Sequence, residues 1–207
     1  MITAGGILRN PASGKLSGFT GRRPQASRKV TVTAGSVFVV DTRSVTIGAA
    51  ILVARAVEMR DAGASAEEIV RELRDLSQRV ALYAMIDDLT YPQKGGRLPA
   101  VGARVLGVLS IKPIVTIWKG AASMAGLARG KKGAYHWIAD RAAREGIDER
   151  YCVAFGHTNA PHLAAALEAV VFPHGCGQRV LRHPVGMVLG THAGPGAVAM
   201  AYIKKKA

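Results

Sequence analysis

The sequence predicts an α/β fold, and three observations carry the prediction. Apolar runs of strand length near residues 37–41, 80–86, 111–118, 151–156 and 179–183 alternate with stretches of helical period. The hydrophobic share is 49% of 207 residues with only 5% aromatic, enough for a core built from aliphatic and small side chains. Finally, the run Val37 to Asp41, two helices and the run Val80 to Ile86 follow one another as a crossover unit, which ordinarily joins parallel strands.

Residues 1 to 36 carry no clear period, because Gly5, Gly6, Pro11, Gly14, Gly18, Gly21 and Pro24 interrupt any pattern. Val37-Phe38-Val39-Val40-Asp41 then reads as a buried strand ended by an acid. A helix is expected from about Ile47 to Arg60, with Ile51, Ala54, Val57 and Met59 towards the core and Gly63 as its stop. Ser65 and Glu68 form a capping box for the next helix, whose Ile69, Leu73 and Leu76 recur at helical spacing.

After the strand Val80 to Ile86, the turn Pro92 to Leu98 carries the pair Gly95-Gly96, which suits a domain junction or a close backbone approach. A short helix is expected around Val101 to Leu109. Ile111 to Trp118 reads as a strand whose Pro113 favours an edge or the strand start, and Lys119-Gly120 turns it into a second strand, Ala121 to Leu127. A helix from about Gly133 to Glu145, a strand from Tyr151 to Gly156, a helix from Ala160 to Val171 and a strand from Arg179 to His183 complete the alternation. The stretch Gly190-Thr191-His192-Ala193-Gly194-Pro195-Gly196 is expected to be a loop between two strands.

The net charge of +14 is unevenly placed: no carboxylate occurs from Met1 to Val40 or from Leu89 to Ala139. A basic face of this kind suits nucleic acid, an anionic membrane surface, an acidic protein or a phosphorylated ligand. Aromatics interleaved with the basic residues, which stack bases in single-strand binders, are missing, so DNA is not expected as a partner. Cys152 and Cys176 make no disulfide framework, and the start lacks a secretory pattern. The longest apolar stretch, Val101 to Trp118, is broken by Arg104, Lys112 and Pro113, so no transmembrane segment is expected and a cytoplasmic location is.

Several chemistries find no support. Five of the six histidines fall in the last third, yet His157-x4-His162 and His174-x-Cys176 match no metal-ligand pattern. A G-x-S-x-G elbow and a G-x-G-x-x-G fingerprint are absent, and Gly126 stands one residue too near Gly130-Lys131 for a Walker phosphate loop. Neither catalytic residues nor a cofactor is therefore expected.

A site for one small anion does fit: the Ser17 hydroxyl, the His192 imidazole, the amides of Gly194 to Gly196 and the charge of Arg129. The plainer reading of the last stretch is a Gly-Pro turn with an incidental histidine. An anionic head with an aliphatic tail is a fatty acid. At about 0.8 kcal/mol per buried methylene, an acyl chain contributes more than ~10 kcal/mol as an upper bound, so one weakly held carboxylate suffices.

Ser13-Gly14-Lys15-Leu16-Ser17-Gly18, Val39-Val40-Asp41-Thr42-Arg43-Ser44-Val45, Lys94-Gly95-Gly96-Arg97-Leu98, Ile111-Lys112-Pro113-Ile114, Arg129-Gly130-Lys131-Lys132 and Thr191-His192-Ala193-Gly194-Pro195-Gly196 together resemble the DegV family of fatty-acid-binding proteins. That family includes the B-type carrier subunits of bacterial fatty acid kinases. The resemblance implies two α/β domains with a fatty acid between them: a partial N-terminal parallel-sheet domain over 1–96, with 1–36 poorly matched, and a C-terminal two-layer α/β domain over 97–207. It further implies ligand contacts from Ser17, Gly96, Arg129, Thr191, His192 and Gly194, and a non-catalytic carrier that presents its acyl carboxylate to a separate ATP-dependent fatty acid kinase subunit. At the front the chain departs from the family: an opening strand with Asp-Ser and a later Thr-Ser-Gln-Pro segment are not present, so the N-terminal segment is expected to be missing. The alternative is a truncated interaction fragment, or a basic protein that meets nucleic acid.

Overall fold

The computed structural model of the chain describes residues 2–3, 7–8, 30–32, 35–96, 110–118 and 120–206. The short strands β1 (Ile2–Thr3), β2 (Ile7–Leu8), β3 (Val30–Val32) and β4 (Gly35–Val39) form one antiparallel sheet in the order β1-β2-β4-β3. Helices α1 (Thr46–Asp61) and α2 (Ala66–Arg79) follow, then β5 (Val80–Met85) and the single-turn α3 (Thr90–Lys94). The second half contributes β6 (Ile111–Trp118), β7 (Ala121–Arg129), α4 (Gly130–Glu145), β8 (Val153–His157), α5 (Pro161–Val171), β9 (Val180–Pro184), α6 (Met187–Ala193) and β10 (Val198–Ile203).

The α/β fold expected from the sequence is present, built on a six-stranded mixed sheet in the order β7-β6-β5-β10-β8-β9. Its pleat sorts side chains between two cores. Leu82, Ala154, Ala199, Ala201 and Ile203 face α1 and α2, where Ile47, Ile51, Leu52, Ile69, Leu73 and Leu76 are buried. Tyr83, Met85, Phe155, Val198, Met200 and Tyr202 face α4 and α5, against Tyr135, Ile138, Ala142 and Leu167. With helices on both faces, β10 is buried along its whole length, which is why its sequence is a continuous run of apolar residues and Tyr rather than an alternation.

Three expectations need correction. The run at 37–41 does not pair in parallel with the run at 80–86: both edges of β5 are taken, antiparallel, by β6 and β10, and β4 lies in the other sheet. Among the described residues the N-terminal strands accordingly form no parallel sheet, and the parallel pair is β8 with β9. The boundary expected at 96/97 falls between α3 and β6, so the large sheet takes strands from both sides of it. In α1 the buried stripe runs through Ile47, Gly48, Ile51, Leu52 and Ala56 instead of Val57, because two faces of the helix meet α2 and the sheet.

Local signals elsewhere act as their chemistry suggests. Ser65 N–H donates to Glu68 at 2.8 Å while the Glu68 amide donates back to the Ser65 hydroxyl, closing the capping box. Gly63 takes φ 85° after α1. Gly120 takes φ 79° and turns β6 into β7, an antiparallel hairpin with a bulge at Ile114/Val115. Pro113 lies near the start of β6, an internal strand, where its carbonyl accepts from Ile86. The helix expected over Val101 to Leu109 lies outside the described residues.

Candidate functional site

The registers place one end of the large sheet at Arg129 and Ile111, Met85 and Ile114, Val198, and His157 beside Pro184. Asp87, Lys112, the start of α4 and the turn between α6 and β10 all gather there. His192 is not in a loop, as expected, but in the last turn of α6, and Gly194 ends the helix with φ 73°. The histidine lies in the segment that enters the central strand β10, so its backbone is held by the core of the sheet.

The amides of the turn do not face a ligand. Gly194 N–H donates to Gly190 O at 2.9 Å, Gly196 N–H to Thr158 O at 2.8 Å and Ala197 N–H to the Thr158 hydroxyl at 2.9 Å, while Pro195 has no N–H. These donors were expected to cradle an anion; helix termination and strand pairing consume them instead. The Thr191 hydroxyl donates to Val188 O at 2.9 Å, inside its own helix. What the turn leaves for a ligand is the His192 ring. Its Nδ1 is buried and has no hydrogen-bond partner among the described residues, a situation that costs about 1–3 kcal/mol until a partner arrives.

Two glycines explain how closely this turn fits. A Cβ on Gly95 would stand 2.4 Å from His192 Nδ1, and a Cβ on Gly194 would stand 2.5 Å from the ring of Tyr91. Gly95 and Gly96 follow α3, so the paired glycines noticed in the sequence do mark a close backbone approach. Gly96 itself turns with φ 64°, and nothing among the described residues stands within 4 Å of its Cβ position.

On the other side stands an ion cluster. Asp87 pairs with Lys112 at 2.7 Å and Lys131 at 3.1 Å, and its Oδ2 lies 2.9 Å from where a Gly196 Cβ would be. Burial alone would raise the pKa of Asp87, but the two lysines outweigh it and hold the carboxyl below the usual range. The Tyr135 hydroxyl, one turn along α4 from Lys131, is also buried with no hydrogen-bond partner among the described residues.

Of the expected site residues, His192 and Gly194 meet α3 and its end, through Gly95 and Tyr91, while Gly96 follows Gly95 and Thr191 precedes His192 with its hydroxyl turned to Val188 O. Arg129 stands at the same sheet end but on β7, three places from β10, roughly 14 Å at the usual strand spacing. There it lines an open groove of about 260 Å³ with Ile111, Leu127 and Ala128. Ser17, Arg97 and Leu98 lie outside the described residues. Sequence reasoning missed Tyr91, Asp87 and Thr158. The Asp87-Asp88 pair was a visible signal in a stretch poor in carboxylates, whereas a lone threonine after a buried strand was none.

Residues 4–205 match the family model described as "Uncharacterised protein, DegV family". The chain belongs to the DegV family. The matched range takes in residues 4–36, which the sequence reading set apart as poorly matched. A DegV domain-containing protein of Caldanaerobacter subterraneus subsp. tengcongensis is 35% identical over 169 residues, covering 81% of this chain and 60% of that protein. The DegV family protein from Thermus thermophilus whose structure describes fatty acid binding superposes with a TM-score of 0.69 at 30% identity, over 81% of this chain and 60% of that one. At 20% identity, where the likeness speaks for the fold alone, the Streptococcus pneumoniae Fatty Acid Kinase (Fak) B3 protein loaded with linoleic acid superposes with a TM-score of 0.72, over 81% of this chain and 59% of that one. This DegV chain thus spans about three fifths of these relatives' length.

Proposed function

We propose that this DegV chain is a cytoplasmic, non-catalytic fatty-acid carrier in which the His192 imidazole holds the carboxylate of a long-chain fatty acid. The observation that carries the reading is the buried His192 Nδ1, left without a hydrogen-bond partner among the described residues in a turn whose amides are all committed. A carboxylate accepts from an imidazole N–H, and removes the cost of leaving that nitrogen unpaired. The Ser17 hydroxyl is the second head-group donor that this reading assigns, and Gly96 gives the neighbouring backbone its turn. Arg129, Lys131 and Lys132 give the same sheet end positive charge, which attracts an anion from solution. The fatty acid bound by the Thermus thermophilus relative supports the ligand class.

The finer part of the proposal is that the bound carboxylate is presented to a separate ATP-dependent kinase for acyl phosphate formation. The fold shared with the pneumococcal Fak B3 protein supports it. No helix among the described residues is long and apolar enough to cross a membrane.

Extraction of the purified chain with organic solvent, followed by mass spectrometry, tests the reading. A long-chain fatty acid at a stoichiometry near one is the expected result. A chain that yields no acyl species and takes up none on addition is not a carrier.

A further inference from the structure

Thr158, immediately after β8, is one of three buried polar or charged residues among those described, with 7% of its surface exposed. All its polar groups go to the turn that follows α6. The hydroxyl donates to Gly194 O and accepts from Ala197 N–H at 2.9 Å; the amide donates to Ala197 O at 2.9 Å, and the carbonyl accepts from Gly196 N–H at 2.8 Å. A hydroxyl at this place can, with a single atom, donate to the carbonyl at one end of the turn and accept from the amide at the other. The backbone pair with Ala197 and Gly196 is available to any residue. The hydroxyl clamp belongs to serine or threonine alone.

Gly194 O lies two residues from His192, and the Gly194 N–H closes the last turn of α6 onto Gly190. Fixing Gly194 O from β8 therefore fixes where α6 ends and where its last side chain stands. From these bonds we infer that Thr158 is the positioning residue of His192, its hydroxyl setting the imidazole against Gly95 through the Gly194-Pro195-Gly196 turn. The inference rests on the proposed role of His192 for its effect on the ligand, but the positioning itself is observable without one.

The test uses the full chain with Thr158→Val, which keeps the shape and removes the hydroxyl, and Thr158→Ser, which keeps the hydroxyl. Two readouts are taken: the affinity for cis-parinaric acid as a fluorescent fatty-acid probe, and the imidazole carbon–proton NMR signals, with that of His192 assigned through His192→Ala. Thr158→Val is expected to shift the His192 signal while leaving those of His136 and His162 in place. It should also weaken the probe roughly tenfold, the scale of one lost hydrogen bond, and Thr158→Ser should restore both. An unmoved His192 signal in Thr158→Val overturns the inference, as does a Thr158→Ser chain that differs from the parent, which also decides the matter if the valine variant does not fold. Should the parent chain bind no probe while the His192 signal moves in valine and returns in serine, the carrier reading fails and the positioning stands.

Discussion

The imidazole of His192 closes on the backbone of Gly95 so tightly that a methyl group there would stand 2.4 Å from Nδ1. The two residues come from α6 and the end of α3, nearly a hundred positions apart. Gly95 has φ −75° and ψ −4°, a conformation alanine adopts without strain. The glycine is therefore required by its neighbour and not by its backbone. Gly95→Ala is expected to displace the imidazole and weaken fatty-acid binding at least tenfold, with thermal stability little changed. In a His192→Ala background the same substitution should have no further effect on binding. A double-mutant cycle measures the coupling, and additive losses would separate Gly95 from His192.

His192→Ala removes the buried Nδ1 that has no hydrogen-bond partner among the described residues. It is expected to weaken fatty-acid binding by about 1.5–3 kcal/mol, the range for a hydrogen bond to a charged group. Lys205→Ala, at the opposite end of β10, should leave binding unchanged. Isothermal titration of both variants with the same fatty acid checks the difference, and equal losses would remove His192 from the site.

Gly194 is held by two constraints at once, a positive φ of 73° and the ring of Tyr91 at 2.5 Å from the Cβ position. Gly194→Ala is expected to cost about 1–3 kcal/mol from the backbone alone, because φ 73° with ψ 169° is a region that only glycine adopts readily. Pairing it with Tyr91→Ala relieves the collision and leaves the backbone cost. Urea unfolding of the single and double variants separates the two terms. Full recovery in the double variant would mean the backbone carries no cost.

Asp87 and Asp148 predict the acid limb of the stability curve. Arg150 chiefly, opposed by burial and joined by Arg79, holds Asp148 well below the usual carboxylate range; burial raises Asp87, but Lys112 and Lys131 outweigh it and leave its carboxyl below the ordinary value. Because both folded-state values lie under the ordinary 3.8, the stabilisation is complete above that pH and is lost as the pH falls through the folded-state values. Stability measured from pH 5 down to pH 2 should fall, and the fall should be shallower in Asp148→Asn and Asp87→Asn. Asp148→Ala also removes one of the two carboxylates that pair with Arg79, while Asp75 at 3.0 Å and Lys204 O at 2.8 Å remain, so the cost at neutral pH is about 1.5 kcal/mol, the lower end for a hydrogen bond to a charged group. An acid limb unchanged in both asparagine variants would refute the assignment.

Much of the fold was legible because it is written locally. The capping box at Ser65, the Gly63 stop, the hairpin at Gly120 and the apolar runs of β5, β8 and β10 each depend on residues a few positions apart. The pairing of the strands was not legible. Val80 to Met85 reads equally well beside a parallel or an antiparallel neighbour, and the choice rests on β6 and β10, which arrive from far along the chain. The histidine stretch was misjudged for a related reason: its glycines suggested a loop, while packing of α6 on α3 lets Met187 to Ala193 complete two helical turns.

The sequence by itself determined the α/β class, the family resemblance and the choice of His192 as the residue to watch, since these rest on composition, order and spacing. Only the tertiary structure decided what surrounds that histidine. Hydrogen-bond donors are counted out by the whole fold: Thr158, just after β8, takes the Gly196 and Ala197 amides and the Gly194 carbonyl, Gly95 yields its Cβ position to the ring, and Nδ1 is left without a partner among the described residues. Which polar group remains unpaired is a property of every neighbour at once, and no window of sequence contains them all.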